Sequence, residues 1–228
     1  MMTNKPKFTT KTLVTLAMLA AAAYISTTLM SLTPPLVPIP PLRFDPKDVV
    51  LLFAAFLYGA PAAILMLIVV AFIEMGSISE TAQWGMLMNV VSSSAYILPA
   101  ALIYRRRKTL CFAIIGLSAG VISVTGVMML WNYIVIPFYS GVPREVVAGM
   151  LFPLFVPFNL FKGSLNALLA ILLYKPLMSA LSKARLIPTQ EERGANKAAA
   201  FEGATVAKWI FAGIALAVSA MFLMFILF

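Results

Sequence analysis

The 228-residue chain contains no histidine and one cysteine, Cys111. Without histidine there is no His-ligated metal centre, no imidazole base and no HExxH protease motif. One cysteine cannot close a disulfide within the chain, and Cys111, set in an apolar run, reads as a small hydrophobe. Charge is scarce as well. Only 11% of residues are charged and 62% are hydrophobic, against about a quarter and about half in a soluble domain. No GxxxxGK[ST] loop occurs, so the chain carries no P-loop of its own for ATP hydrolysis. No acid pair or nucleophile–base pair stands out, and that favours binding over catalysis.

The surplus of apolar residues falls into runs at 12–33, 49–58, 62–75, 85–104, 110–137, 146–174 and 209–228. Most are long enough to cross a bilayer as helices. The run at 49–58 is short unless its helix begins near Pro46, with Asp45 as N-cap. Lys5, Lys7 and Lys11 before the first run imitate a signal peptide, but that run is too long for a signal h-region and reads as an uncleaved helix. The expectation is an all-α integral membrane protein. A six-helix transmembrane bundle covers 1–185, a polar cytoplasmic linker 186–208, and one additional C-terminal transmembrane helix 209–228.

The net charge of +9 could suggest nucleic acid, but Lys and Arg cluster at the ends of apolar runs, so the charge reads as topology and no nucleic-acid partner is expected. Lys5, Lys7 and Lys11, the cluster 105–108, and Lys175, Lys183 and Arg185 share one side if each of the first six runs crosses once. That side is the cytoplasm, with the N-terminus. A stiff loop with five prolines between Pro34 and Pro41, the polar segment 76–84 and the turn 138–145 then face outward.

Polar side chains inside the runs are few: Glu74, Asn89, Asn132, Asn159, Lys162 and Asn166. Asn159, Lys162 and Asn166 share one helix face in PFNLFKGSLN, and Pro157 is expected to begin the regular part of that helix. Glu74 lies near an outer end, where solvation alone would account for it. A transmembrane asparagine can serve as helix–helix glue, the reading given to Asn166 and open for Asn89. Lys162 points against the positive-inside bias, which makes it a ligand-site candidate beside Asn159. Trp131, Tyr133, Phe138 and Tyr139 suit an interfacial aromatic belt, while Trp84 and Tyr96 could stack on a flat ligand. Donor-and-acceptor carboxamides, an ammonium and an apolar, aromatic surround suit a neutral, planar, hydrogen-bonding small molecule.

Four stretches carry a family resemblance: LRFDPKDVVLLFAAFLYGAPAAIL, the Asn89 segment leading to YILPAALIYRRRKT, WNYIVIPFY, and FPLFVPFNLFKGSLNALLAILLYKPL. In order and content they resemble the RibU family, the riboflavin-binding membrane S component of energy-coupling factor (ECF) transporters, over about residues 10–185. The resemblance implies a six-helix substrate-binding bundle of ECF S-component type, with its pocket near the outer face. It implies that Asn132, Asn159 and Lys162 bind the flavin, with Asn89, Leu42 and Phe44 nearby. It also implies that Ala17 and Ala21, spaced i, i+4 on the first helix, dock on the ECF transmembrane coupling subunit; packing within the bundle is the other reading of that stripe. The partners implied are riboflavin, the coupling subunit, the ATPase subunits and the lipid bilayer. No cofactor is expected, riboflavin being the transported ligand.

Overall fold

The computed structural model describes residues 9–33, 44–79, 81–107 and 110–184. Leu42, most of the proline-rich loop, the linker 186–208 and the run 209–228 lie outside the described residues. The helices are α1 (Thr10–Ser31), α2 (Lys47–Tyr58), α3 (Ala60–Ser77), α4 (Ala82–Arg106), α5 (Leu110–Ser140), α6 (Arg144–Met150) and α7 (Val156–Lys183). Among the described residues, five helical segments are long and apolar enough to cross a membrane: α1, α3, α4, α5 and the stretch Arg144–Tyr174. Large apolar side chains on their outer surfaces are open, Phe72, Ile122 and Phe152 each at more than 60%. Exposure on that scale suits lipid, not water. The protein is a multi-pass, all-helical membrane protein.

α2 differs from the rest. Its 12 residues rise only about 18 Å, short of the roughly 30 Å hydrocarbon layer. It lies in the interior instead, with Leu51, Leu52 and Ala54 fully buried among α1, α3, α4 and α7. Gly59 ends it at φ 92°, a left-handed-side value that favours glycine, and Pro61 sits in the first turn of α3. Pro46 is the N-cap of α2, not Asp45 as the sequence suggested, and no side chain caps the helix in the usual way. Asp45 Oδ1 does accept the Lys47 N–H at 3.3 Å, but its carboxylate is drawn away to the Lys47 ammonium.

α4 and α5 make the tightest crossing. A Cβ on Gly120 would sit 2.5 Å from the Tyr96 carbonyl oxygen, and one on Gly116 2.8 Å from that of Ala100. This is the small-xxx-small geometry of closely packed membrane helices.

The last span bends at its prolines. Pro153 and Pro157 lack N–H groups, so the regular i→i−4 ladder cannot run through them. Leu151–Phe155 forms a π turn in which the Val156 N–H reaches back to the Leu151 carbonyl. α7 starts at Val156 with Pro157 as its second residue, close to the expected start. Asn159 and Lys162 therefore fall in its first two turns.

Candidate functional site

A cavity of about 1130 Å³, counting the space open to solvent at its mouth, lies at one end of the bundle. The C-terminal ends of α1, α3 and α5 meet the N-terminal ends of α4 and α7 there, together with Phe44 and Asp45 just before α2. The antiparallel order makes this possible: each alternate helix brings the same pole of the molecule to the cavity. Asn89, Asn132, Asn159, Lys162 and Phe44 all contribute to its wall. Five of the six residues expected around a ligand are thus gathered in one place, and the sixth, Leu42, is outside the described residues.

Asn159, Asn89 and Lys162 each meet a particular partner. Asn159 is 4% exposed and donates Nδ2–H to the Phe155 carbonyl, 2.7 Å away beside the π turn. This fixes the carboxamide plane. Asn132 is equally buried on α5. Asn89 donates Nδ2–H to Glu74 Oε2 at 3.1 Å. Lys162 Nζ stands 4.0 Å from Asp48 Oδ2, the outer limit of an ion pair, and its side chain stays partly open to the cavity.

Beneath the cavity lies an ionic cluster. Lys47 is fully buried, with Nζ 2.6 Å from Asp45 Oδ2 and 2.6 Å from Glu74 Oε2. Thr27 donates its hydroxyl to Asp45 Oδ1 at 2.9 Å. Asp48 accepts from the Ser93 hydroxyl at 2.5 Å and from Asn166 Nδ2 at 3.3 Å. Glu74 is therefore not a solvated carboxylate: it is 2% exposed, lines the cavity and is paired. Asn166 ties α7 to the start of α2, bonding both the Asp45 carbonyl and Asp48, which is the work of helix glue. Buried charges persist only where partners compensate their lost hydration, and this cluster supplies such partners from five helices.

The aromatic expectations divide. Tyr96 does not face the cavity. It is buried in the core and donates its hydroxyl to the Gly163 carbonyl at 3.3 Å. Trp84 stacks on Tyr139 at 6.1 Å between ring centres, and Tyr139, not Trp84, forms part of the wall. Phe44, Phe155 and Phe158 complete the apolar lining.

Lys47 and Asp48 were missed from sequence because DPKD reads as the end of a proline-rich loop. The available signal was the ten-residue apolar run that follows. A run of ten leaves room for a helix that starts inside the tetrapeptide, at Lys47, and that start carries the charges into the bundle.

Residues 11–174 match the family described as "ECF transporter, substrate-specific component". The chain is 29% identical over 185 residues to the riboflavin transporter RibU of Staphylococcus aureus (strain TCH60), covering 76% of this chain and 93% of that one. It is 30% identical over 169 residues to the riboflavin transporter FmnP of Bacillus subtilis (strain 168), covering 67% and 84%. A solved structure described as "Structure and mechanism of the S component of a bacterial ECF transporter" superposes with a TM-score of 0.64 at 30% identity, covering 75% of this chain and 97% of that one.

Proposed function

The chain belongs to the family of ECF transporter substrate-specific components, and we propose from that premise that it captures riboflavin and delivers it inward with an ATP-driven ECF module. The observation that carries the reading is the convergence of Asn89, Asn132, Asn159 and Lys162 on one cavity wall among aromatic side chains. Riboflavin is neutral, with a flat ring bearing carbonyls and an imide N–H and a polyol tail. Carboxamides meet both kinds of group, and the ammonium meets carbonyl or hydroxyl oxygens. Binding and release make and break no covalent bond, so the step is not enzymatic. Purified protein should be yellow, with a flavin absorption spectrum that survives gel filtration. Colourless protein that also fails to take up added riboflavin would defeat the reading.

The site is read as facing outward, with the N-terminus in the cytoplasm. Lys11, Arg105, Arg106, Arg107 and Lys183 stand at the helix ends opposite the cavity, and the positive-inside bias assigns that pole to the cytoplasm. The bundle of 1–185 is read as the binding unit, with 186–208 as a linker and 209–228 as an additional span.

The docking stripe finds support in exposure. α1 buries Thr15, Leu16, Leu19 and Ala23, while Ala17 and Ala21 face away from the described bundle. Packing among the described helices does not use them. A flat alanine surface lets a partner helix approach closely, and the coupling subunit is the partner this reading assigns. Ala17→Trp or Ala21→Trp should leave riboflavin binding unchanged and abolish uptake in cells carrying the ECF module. Uptake at the wild-type rate would place the docking surface elsewhere.

A further inference from the structure

The two lysines of the site are committed to different degrees. Lys47 is enclosed, with a carboxylate oxygen of Asp45 and one of Glu74 each at 2.6 Å. Lys162 reaches Asp48 only at 4.0 Å and lines the cavity. Asp48 already accepts from Ser93 and Asn166, so its hold on Lys162 is shared. Asp45 and Lys162 both form part of the cavity wall. A carboxylate in a low-dielectric site attracts an ammonium far more strongly than the neutral oxygen of a ligand does. Were Asp45 left without its counter-ion, it would compete with the ligand for Lys162.

We propose that Lys47 is a positioning residue of the binding site: by holding Asp45 and Glu74 it reserves the Lys162 ammonium for the ligand. Lys47 touches no ligand itself, since it is fully buried behind the wall. It acts through Lys162. The inference rests on the riboflavin reading, because its readout is riboflavin affinity.

The test is a double-mutant cycle on the full-length chain in detergent, titrated with riboflavin. Lys47→Gln keeps hydrogen-bond donors facing the carboxylates and removes the charge. It should weaken binding about tenfold or more when Lys162 is present, and by less than about twofold in a Lys162→Met background. An equal loss in both backgrounds, or no loss in either, overturns the proposal. Where the Lys162→Met protein binds too weakly to titrate, the pH profile decides. The groups around the vacated position are Asp45, Glu74, Asp48 and Lys162, and protonating an uncompensated carboxylate releases Lys162. The affinity deficit of Lys47→Gln should therefore shrink as pH falls from 8 to 6 (approximate limits) while wild type changes little. A deficit constant with pH overturns the proposal. Lys47→Met serves the same cycle if Lys47→Gln cannot be isolated folded. If neither can, Lys47 is a requirement of the fold and the proposal fails. Wild-type protein that binds no riboflavin defeats the functional reading instead, so the two failures are distinguishable.

Discussion

Lys162→Ala and Asn159→Ala are each expected to weaken riboflavin binding by about 1–3 kcal/mol, roughly 5- to 150-fold. Removing either side chain leaves a ligand atom facing an apolar wall without its partner, at the desolvation cost of that atom. The two substitutions should differ in a second property. Lys162 makes only a 4.0 Å approach to Asp48, so its loss should barely change thermal stability. Asn159 holds the Phe155 carbonyl at 2.7 Å beside the π turn, so its loss should also lower the unfolding midpoint. Unchanged affinity in both variants, measured by titration, would place the pocket elsewhere.

Asp48→Ala is expected to cost about 3–5 kcal/mol of stability, the range for breaking a buried charge network from one side. Asp48 is 3% exposed and joins three elements: it is on α2 and accepts from Ser93 on α4 and Asn166 on α7. Its removal takes an acceptor from the Ser93 hydroxyl and from Asn166 Nδ2 and strips Lys162 of the carboxylate 4.0 Å away. Asp48→Asn, which keeps acceptor capacity, should cost less. Thermal unfolding in detergent compares them. An Asp48→Ala midpoint equal to wild type would show that the cluster contributes nothing to the fold.

The helices were legible because apolar runs bounded by charge or proline leave few alternatives in lipid. Asn89, Asn132, Asn159 and Lys162 were legible for the same reason, since polar atoms inside such runs must face something polar. The ionic floor was not. Glu74 sits at a helix end, where sequence cannot separate a solvated carboxylate from a buried one; only its approach to Lys47, 27 positions away, decides. Tyr96 shows the opposite error. Its partner, the Gly163 carbonyl, lies on another helix, so nothing local reveals that its hydroxyl is satisfied in the core. Tyr139 was assigned to the membrane interface by composition, yet the close α4–α5 crossing brings it to Trp84 and into the wall.

The central claim is that this cavity holds riboflavin through Asn159 and Lys162. Its most direct test is a riboflavin fluorescence titration of purified protein, run in parallel with the Asn159→Ala/Lys162→Ala double variant. The account predicts saturable quenching at about one flavin per chain in the wild type, with the curve displaced to much higher concentration in the folded double variant. Wild-type protein that leaves the fluorescence unquenched, or a double variant that titrates identically, would contradict it.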